Sequence, residues 1–316
     1  MMMLQPTAQK LRCFVSHLSK HKQKIVPRLY STAIMREVPS TMAKALSMSS
    51  PVKPISVPNA KSQHEKYLTV MERMVLPETV LLAADDHHPD CVFVEDTAVV
   101  IDDRAVICRI GADSRRGEVD AIKESLLGLG LKVQDMRNDT ENATCDGGDV
   151  LYPVSYRWSD SDGMTTKMGG KYLFVGISSR TNYNGADYLQ SAFPNVEVIP
   201  IEMRETNWQA LHLKSIVTHI DEETLVMPKG KEWDYICDLM DVEGRGLEVV
   251  RLPDMAACNV VSANGHVLAQ SDICNESKEI LKREVEQNRG QTLIYVEASE
   301  FAKCDGALTC KSILIP

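Results

Sequence analysis

Nine cysteines are spread along a chain of 316 residues. One of them, Cys310, stands directly before the apolar C-terminal stretch Lys311-Ser-Ile-Leu-Ile-Pro316 and just after a polar turn at Asp305-Gly306. A lone cysteine at a strand start is commonly a small buried hydrophobe. It acts as a nucleophile where a histidine lies within hydrogen-bond reach and a carboxylate orients or charges the ring. The candidates for those partners are His212, in Ala210-Leu-His-Leu213, and Asp146, in Cys145-Asp-Gly-Gly-Asp149. His212 also fits an ordinary core position, and the Gly-Gly step also fits a plain turn. Two glycines between carboxylates would equally let the backbone approach a ligand and aim an acid at the ring.

Further carboxylates stand at Asp90, Glu95 and Asp96, in Asp90-Cys-Val-Phe-Val-Glu-Asp96. Following an apolar run, Glu95 and Asp96 suit burial against a cationic ligand, although a solvated strand end has the same signature. Two arginines are placed for the opposite task. Arg115, in Gly111-Ala-Asp-Ser-Arg-Arg116, and Arg180, in Ser178-Ser-Arg-Thr-Asn182, present rigid donor forks that suit an α-carboxylate. The alternative is a pair of solvated charges, but an arginine at a helix start opposes the helix dipole, which favours a functional reason for Arg115.

These residues need elements to bring them together. The body repeats one pattern: a polar entry, a β-hairpin, an amphipathic helix and a further strand. Hairpins are predicted over Thr97–Cys108, Val150–Val154 with Lys171–Ile177, Ser215–Met227 and Asn259–Ala269, the last with a type I′ Asn264-Gly265 turn. Ser159 to Gly170 is expected to be a long polar surface loop. Helical spacing of three and four links Val119, Ile122, Leu126 and Leu129, then Ala186, Leu189 and Phe193. It recurs at Trp233, Ile236, Leu239 and Met240, and at Ile280, Leu281 and Val285. Strands follow at Leu131–Met136, Val196–Ile201, Leu247–Leu252 and Thr292–Val296.

A fifth unit is assembled from the two ends: strands at Lys311–Ile315, Ser31–Arg36 and Val80–Ala83, with a helix near Gln63–Met74. The expected fold class is α/β, a five-bladed α/β propeller of ββαβ units closed by pairing the termini, which removes an exposed sheet edge. An ordinary mixed α/β sandwich is the alternative. In the radial arrangement the five entries converge, so Glu95 and Asp96, Asp146, His212, Asn259 and Cys310 meet near the axis.

Composition excludes some roles. The net charge is −9, and no basic cluster in the body offers a surface for a phosphate backbone, so a nucleic-acid partner is not expected. No run approaches the roughly 18 apolar residues of a membrane span. The nine cysteines contain no Cys-x-x-Cys pair and no zinc-ligand ladder.

The first 36 residues contain no acid and seven of the 35 Lys and Arg residues; the remainder sets 28 bases against 44 acids, a net charge of −16. Residues 1–30 are therefore expected to form a mitochondrial targeting presequence, cleaved near Tyr30, with a disordered basic tail as the alternative; residues 31–316 would be one catalytic domain. Cys13-Phe-Val is too short for a secretory signal, so the thiols are expected in a reducing compartment, mitochondrial or otherwise cytoplasmic.

Six motifs, in order, carry a family resemblance. They are Asp90-Cys-Val-Phe-Val-Glu-Asp96, Gly111-Ala-x-Ser-Arg-Arg116, Glu141-Asn-Ala-Thr-x-Asp-Gly-Gly-Asp149, Val175-Gly-x-Ser-x-Arg-Thr-Asn182, Leu211-His-Leu-Lys-Ser215 and Asp305-Gly-x-Leu-Thr-Cys310. The chain from about Ile34 onward resembles dimethylarginine dimethylaminohydrolase, a family of the pentein superfamily. The resemblance implies Cys310 as nucleophile, His212 as general acid/base and Asp146 as its partner. It implies substrate contacts from Asp90, Glu95 and Asp96 to the guanidinium and amine, from Arg115 and Arg180 to the α-carboxylate, from Leu46 in a lid and from the backbone at Cys304.

The implied reaction is hydrolysis of Nω-methylated arginines to citrulline and methylamines, without a cofactor. A zinc ion on Cys310 and His212 is expected to be inhibitory. The implied partner is a small-molecule substrate, taken by a monomer or homodimer. An arginine or agmatine deiminase and a non-catalytic methylarginine-binding protein are the alternatives. Cys145, Cys304, Lys311 and Ala257-Cys-Asn259 depart from the family pattern, and Cys304 is a candidate resolving thiol.

Overall fold

Asn264 and Gly265 both have positive φ, 49° and 76°, the backbone a tight type I′ turn requires. They join Val261–Ala263 to His266–Gln270 in an antiparallel hairpin. The chain then forms the helix Asn275–Leu281 and returns as Thr292–Val296, parallel to His266–Gln270. A parallel return needs such a crossover, and the helix supplies it. The structure, a computed structural model, describes residues 30–139, 142–159, 164–203 and 210–316. The segment expected to be a presequence lies, through residue 29, outside the described residues.

The same plan occurs in five three-stranded sheets. In each, a short strand pairs antiparallel with a middle strand, and the strand after the helix pairs parallel with the middle one. The middle and outer strands are Arg104–Ile107 and Lys132–Asp135, Tyr172–Ile177 and Glu197–Glu202, Thr224–Pro228 and Glu248–Leu252, besides the pair just described. The fifth sheet joins the chain ends: Thr32–Arg36 pairs antiparallel with Ile313–Ile315 and parallel with Glu78–Leu82, as the sequence predicts. Its helix, Val57–Val70, passes into a π turn over Met71–Val75.

Between each helix and its sheet lies an apolar cluster. Val119, Ile122 and Leu126 are fully buried against Ala105 and Ile107, each large aliphatic side chain contributing roughly 1.5–3 kcal/mol. Ala186, Leu189 and Phe193, and then Leu281 and Val285, do the same in their units.

One expectation is corrected. The segment from Ser159 to Gly170 is not a polar loop: Val154–Ser159 and Met164–Gly169 form an extra antiparallel hairpin. Its β-branched and aromatic residues outweigh the local polarity. Gly169 and Gly170, with φ of 70° and 67°, turn the chain back into the sheet. Lys167 ties the hairpin to Asp102 on the neighbouring unit at 2.6 Å.

Candidate active site

Each of the five short antiparallel strands is entered through a single 3-10 turn: Val94–Thr97, Gly147–Asp149, Leu213–Ser215, Met255–Cys258 and Thr309–Lys311. A tight turn displays its own and its flanking side chains at one end of the sheet, and side chains here bind one turn to the next. Thr309 Oγ1 donates to Glu95 Oε2 at 2.8 Å, and Lys214 Nζ donates to Glu95 Oε1 at 2.5 Å. Asn259 Nδ2 donates to the Lys214 carbonyl at 2.9 Å and to Thr309 Oγ1 at 3.1 Å, while its Oδ1 accepts from Thr309 N at 3.0 Å. Asp96 Oδ1 accepts from Gly148 N at 3.0 Å, and Asp149 Oδ1 accepts from Leu213 N at 2.9 Å. All five turns are thereby stitched together.

His212 is buried, and its two ring nitrogens face two carboxylates: Nε2 lies 3.0 Å from Asp146 Oδ2 and Nδ1 lies 3.8 Å from Asp96 Oδ1. Burial works against the imidazolium, but Asp96, Asp149 and Asp146 raise it to about 9. The second Asp146 oxygen accepts from Gly111 N at 2.7 Å, which fixes the carboxylate. Gly148 is required by space: a Cβ there would sit 2.7 Å from both Asp96 Oδ1 and His212 Nδ1. Asp149, fully buried, accepts from Ser178 and Thr181, each at 2.7 Å, and so couples the loop carrying Arg180 to the turn after His212.

Cys310 is half-buried, and its sulfur accepts from Ala307 N at 3.4 Å. Burial, then Glu95 and Asp96, push the thiol up to about 12; the Ala307 N–H and Lys214 pull weakly the other way. No hydrogen bond joins Cys310 to His212 among the described residues. Glu95 is raised by burial, against the pull of Lys214. In Asp96, burial is overcome by His212 and Arg115, which hold it below the usual carboxylate range.

The arginines diverge. Arg115 is buried, and four of its five N–H groups are used: Nε and one Nη2 hydrogen on Glu118, the other Nη2 hydrogen on the Phe93 carbonyl, and one Nη1 hydrogen on Asp96 at 2.6 Å. It can offer a ligand one hydrogen bond rather than the expected fork. Arg180 is partly exposed, and its guanidinium makes no hydrogen bond or ion pair among the described residues. It does lower the carboxyl of Asp90, which burial raises.

Leu46 is 39% exposed and its N–H donates to Asp90 Oδ1 at 3.0 Å, so the segment expected to be a lid is anchored at the site's edge. Met48 N anchors it again on Asp305 at 2.6 Å. The Cys304 thiol is buried, donates to the Phe301 carbonyl at 3.3 Å and is pushed up to about 12 by burial; it is not poised as a resolving thiol.

Among the described residues, the three metal-ligating side chains whose ligand atoms lie within 4.8 Å of one another are Asp96, Asp146 and His212. Glu118, buried and raised by burial to about 7, is a further member of the site; the Arg115-x-x-Glu118 spacing on one helical turn is its signal in the sequence.

Comparison with known proteins bears on the family. Residues 49–231, more than half of the chain, match the family model described as N,N dimethylarginine dimethylhydrolase, eukaryotic. A Streptomyces coelicolor N(G),N(G)-dimethylarginine dimethylaminohydrolase is 31% identical over 242 residues, covering 75% of this chain and 78% of the relative. An uncharacterized Aeropyrum pernix protein is 28% identical over 295 residues, covering 91% and 96%. Among solved structures, a Pseudomonas aeruginosa dimethylarginine dimethylaminohydrolase, a cysteine-to-serine variant complexed with citrulline, superposes with a TM-score of 0.73 at 23% identity, covering 91% of this chain and 100% of that one. The N-terminal domain of ArgZ, an arginine dihydrolase, superposes with a TM-score of 0.71 at 17% identity, covering 90% and 97%. The family match, the five repeated sheets and the convergent acids, histidine and thiol lead to one assignment: the chain belongs to the dimethylarginine dimethylaminohydrolase family, pentein-fold hydrolases of amidine C–N bonds.

Proposed function

We propose that this protein hydrolyses Nω-methylated L-arginines, asymmetric dimethylarginine and monomethylarginine, to L-citrulline and dimethylamine or methylamine through a covalent intermediate on Cys310. The observation that carries the reading is a cluster of acids: Asp96 and Asp146, both buried, flank His212, while Asp96 and the half-buried Glu95 face Cys310. The empty cluster holds the thiol protonated. A guanidinium bound among Asp90, Glu95 and Asp96 offsets their charge and releases the thiolate where it is needed. The same acids keep the guanidinium cationic, and so its carbon electrophilic, and disfavour neutral ureas such as the product.

Cys310 Sγ attacks the guanidinium carbon. His212, its Nε2 proton held by Asp146, gives the Nδ1 proton to the departing amine. Water then adds to the S-linked carbon, His212 takes its proton, and the C–S bond breaks to release citrulline and the thiol. Arg180, open to solvent, holds the α-carboxylate, with one hydrogen bond from Arg115.

The five sheets are read as blades about one axis on the strength of the stitched entry turns. The basic, acid-free composition of residues 1–30 supports mitochondrial targeting. The test is citrulline release from asymmetric dimethylarginine and from arginine by wild type and Cys310→Ser. Dimethylarginine turnover lost in the variant is expected; equal rates would remove the mechanism, and turnover of arginine alone would select a deiminase.

A further inference from the structure

Four of the five entry turns carry or adjoin an acid, a histidine or the thiol of the site. The fourth in chain order, Met255–Cys258, does not: Cys258 is buried, donates to the Asp254 carbonyl at 3.4 Å and is pushed up by burial. What this turn delivers is the residue after it, Asn259, 2% exposed, with its amide directed at two neighbouring turns. Oδ1 accepts from the Thr309 main-chain N–H at 3.0 Å, while Nδ2 donates to Thr309 Oγ1 at 3.1 Å and to the Lys214 carbonyl at 2.9 Å. One side chain therefore grips both the main chain and the side chain of the residue directly before Cys310. Thr309 in turn donates to Glu95 Oε2 at 2.8 Å, and Lys214 Nζ donates to the other Glu95 oxygen at 2.5 Å. The bonds close into a cycle that runs from Asn259 through Thr309, Glu95 and Lys214 back to Asn259.

Only one orientation of the amide satisfies that cycle. Turned over, the NH2 group would face the Thr309 N–H and the oxygen would face the Lys214 carbonyl. An aspartate of the same shape would keep the Thr309 N–H, but it would set an oxygen against the Lys214 carbonyl and draw the Thr309 hydroxyl away from Glu95. The turn that presents Cys310 needs such outside support. Its own main-chain bonds, Lys311 N to Leu308 O and Ser312 N to Thr309 O, are both long at 3.3 Å.

We propose that Asn259 is a positioning residue for the reaction: its amide clamps the Cys310 turn against the Lys214 turn and sets the Thr309 hydroxyl that aims Glu95. The inference rests on Cys310 being the nucleophile.

The test combines kcat and KM for asymmetric dimethylarginine with deuterium uptake of the C-terminal peptide in the substrate-free proteins, read by mass spectrometry. The variants are Asn259→Ala, Asn259→Asp, Thr309→Val, Thr309→Ser and the double variant Asn259→Ala/Thr309→Val. In both Asn259 variants kcat should fall by about 10- to 100-fold with KM within about threefold of wild type, the cost of a misplaced nucleophile. Uptake should quicken in the C-terminal peptide alone. Thr309→Ser should recover most of the loss seen in Thr309→Val, and the double variant should be no slower than the worse single one, because the two residues act as a unit. A residue kept only for packing would lower the urea midpoint and leave kcat in place. A folded Asn259→Asp with kcat within about twofold of wild type would overturn the proposal, as would losses that multiply in the double variant. Failure of both Asn259 variants to fold would overturn it too, because the amide would then hold the fold rather than place the thiol. Uptake needs no substrate. Quickened uptake in the Asn259 variants of a protein that releases no citrulline removes the dimethylarginine reading and keeps the clamp; citrulline release at the wild-type rate with unchanged uptake does the reverse.

Discussion

The two sides of Cys310 are built on opposite rules. On the substrate side, Glu95, Asp96, Asp146, Asp149, His212 and Arg115 are buried or nearly so, and each has a partner on another turn. On the core side, three buried nitrogens, two on His64 and one on Lys311, have no hydrogen-bond partner among the described residues. Satisfied networks of this kind specify one geometry, because removing any member strands the rest. Unsatisfied buried groups destabilise the fold. The acids prepare a place for a cation.

Removing Arg115 tests the satisfied side most severely. Arg115→Leu leaves Asp96 and Glu118 buried without their cation and should lower unfolding free energy by about 3–5 kcal/mol in urea titration; a loss under 1 kcal/mol would show that the network is dispensable.

Next is the pH profile of kcat/KM for asymmetric dimethylarginine. It should climb through the neutral range as the thiol ionises and flatten near pH 9, where His212 loses its proton. A profile flat from pH 6 to 9 would contradict a protonated Cys310 in the empty site.

Arg180→Ala should raise KM for dimethylarginine by roughly 1.5–3 kcal/mol, ten- to hundredfold, as expected for a charged hydrogen bond. The melting temperature should not change, since the Arg180 guanidinium makes no hydrogen bond or ion pair among the described residues.

The smallest effect belongs to the core side. Burial, with Lys311 adding to it, lowers His64 to about 3, and the main-chain group of Arg36 opposes this without reaching hydrogen-bond geometry. A histidine lowered in the fold binds fewer protons than the unfolded chain between about 3 and 6.5, so stability is lost as pH falls through that window. His64→Leu should remove this acid-dependent loss and gain about 1 kcal/mol at pH 5; an unchanged slope of stability against pH would place the titration elsewhere.

The repeat was legible because its signals are local: Asn264-Gly265 marks a turn, and the spacing of Val119, Ile122 and Leu126 marks a buried helix face. The hairpin at 154–169 was not: Val154, Tyr156 and Trp158 alternate with Ser155, Arg157 and Ser159, but the polar run that follows reads as loop. At the site, the convergence of the entry turns follows from the repeat, whereas the use of each side chain does not. Arg115 and Arg180 look alike in sequence, and only the fold reveals that Glu118 and Asp96 occupy one fork and leave the other open. The burial of Lys311 is likewise set by the fold, because the helix Val57–Val70 lays Tyr67 against its amine.

The stitched ring of turns also dictates an order of assembly. Each hairpin–helix–strand unit closes over a few dozen residues, but Thr309 meets Glu95 across 214 positions and Ser31 meets Ile315 across 284. Closure of such distant segments comes late and slowly, after the local units exist. On refolding from denaturant, helical signal should therefore return well before turnover, because the nucleophile and its acids come together only at the final closure.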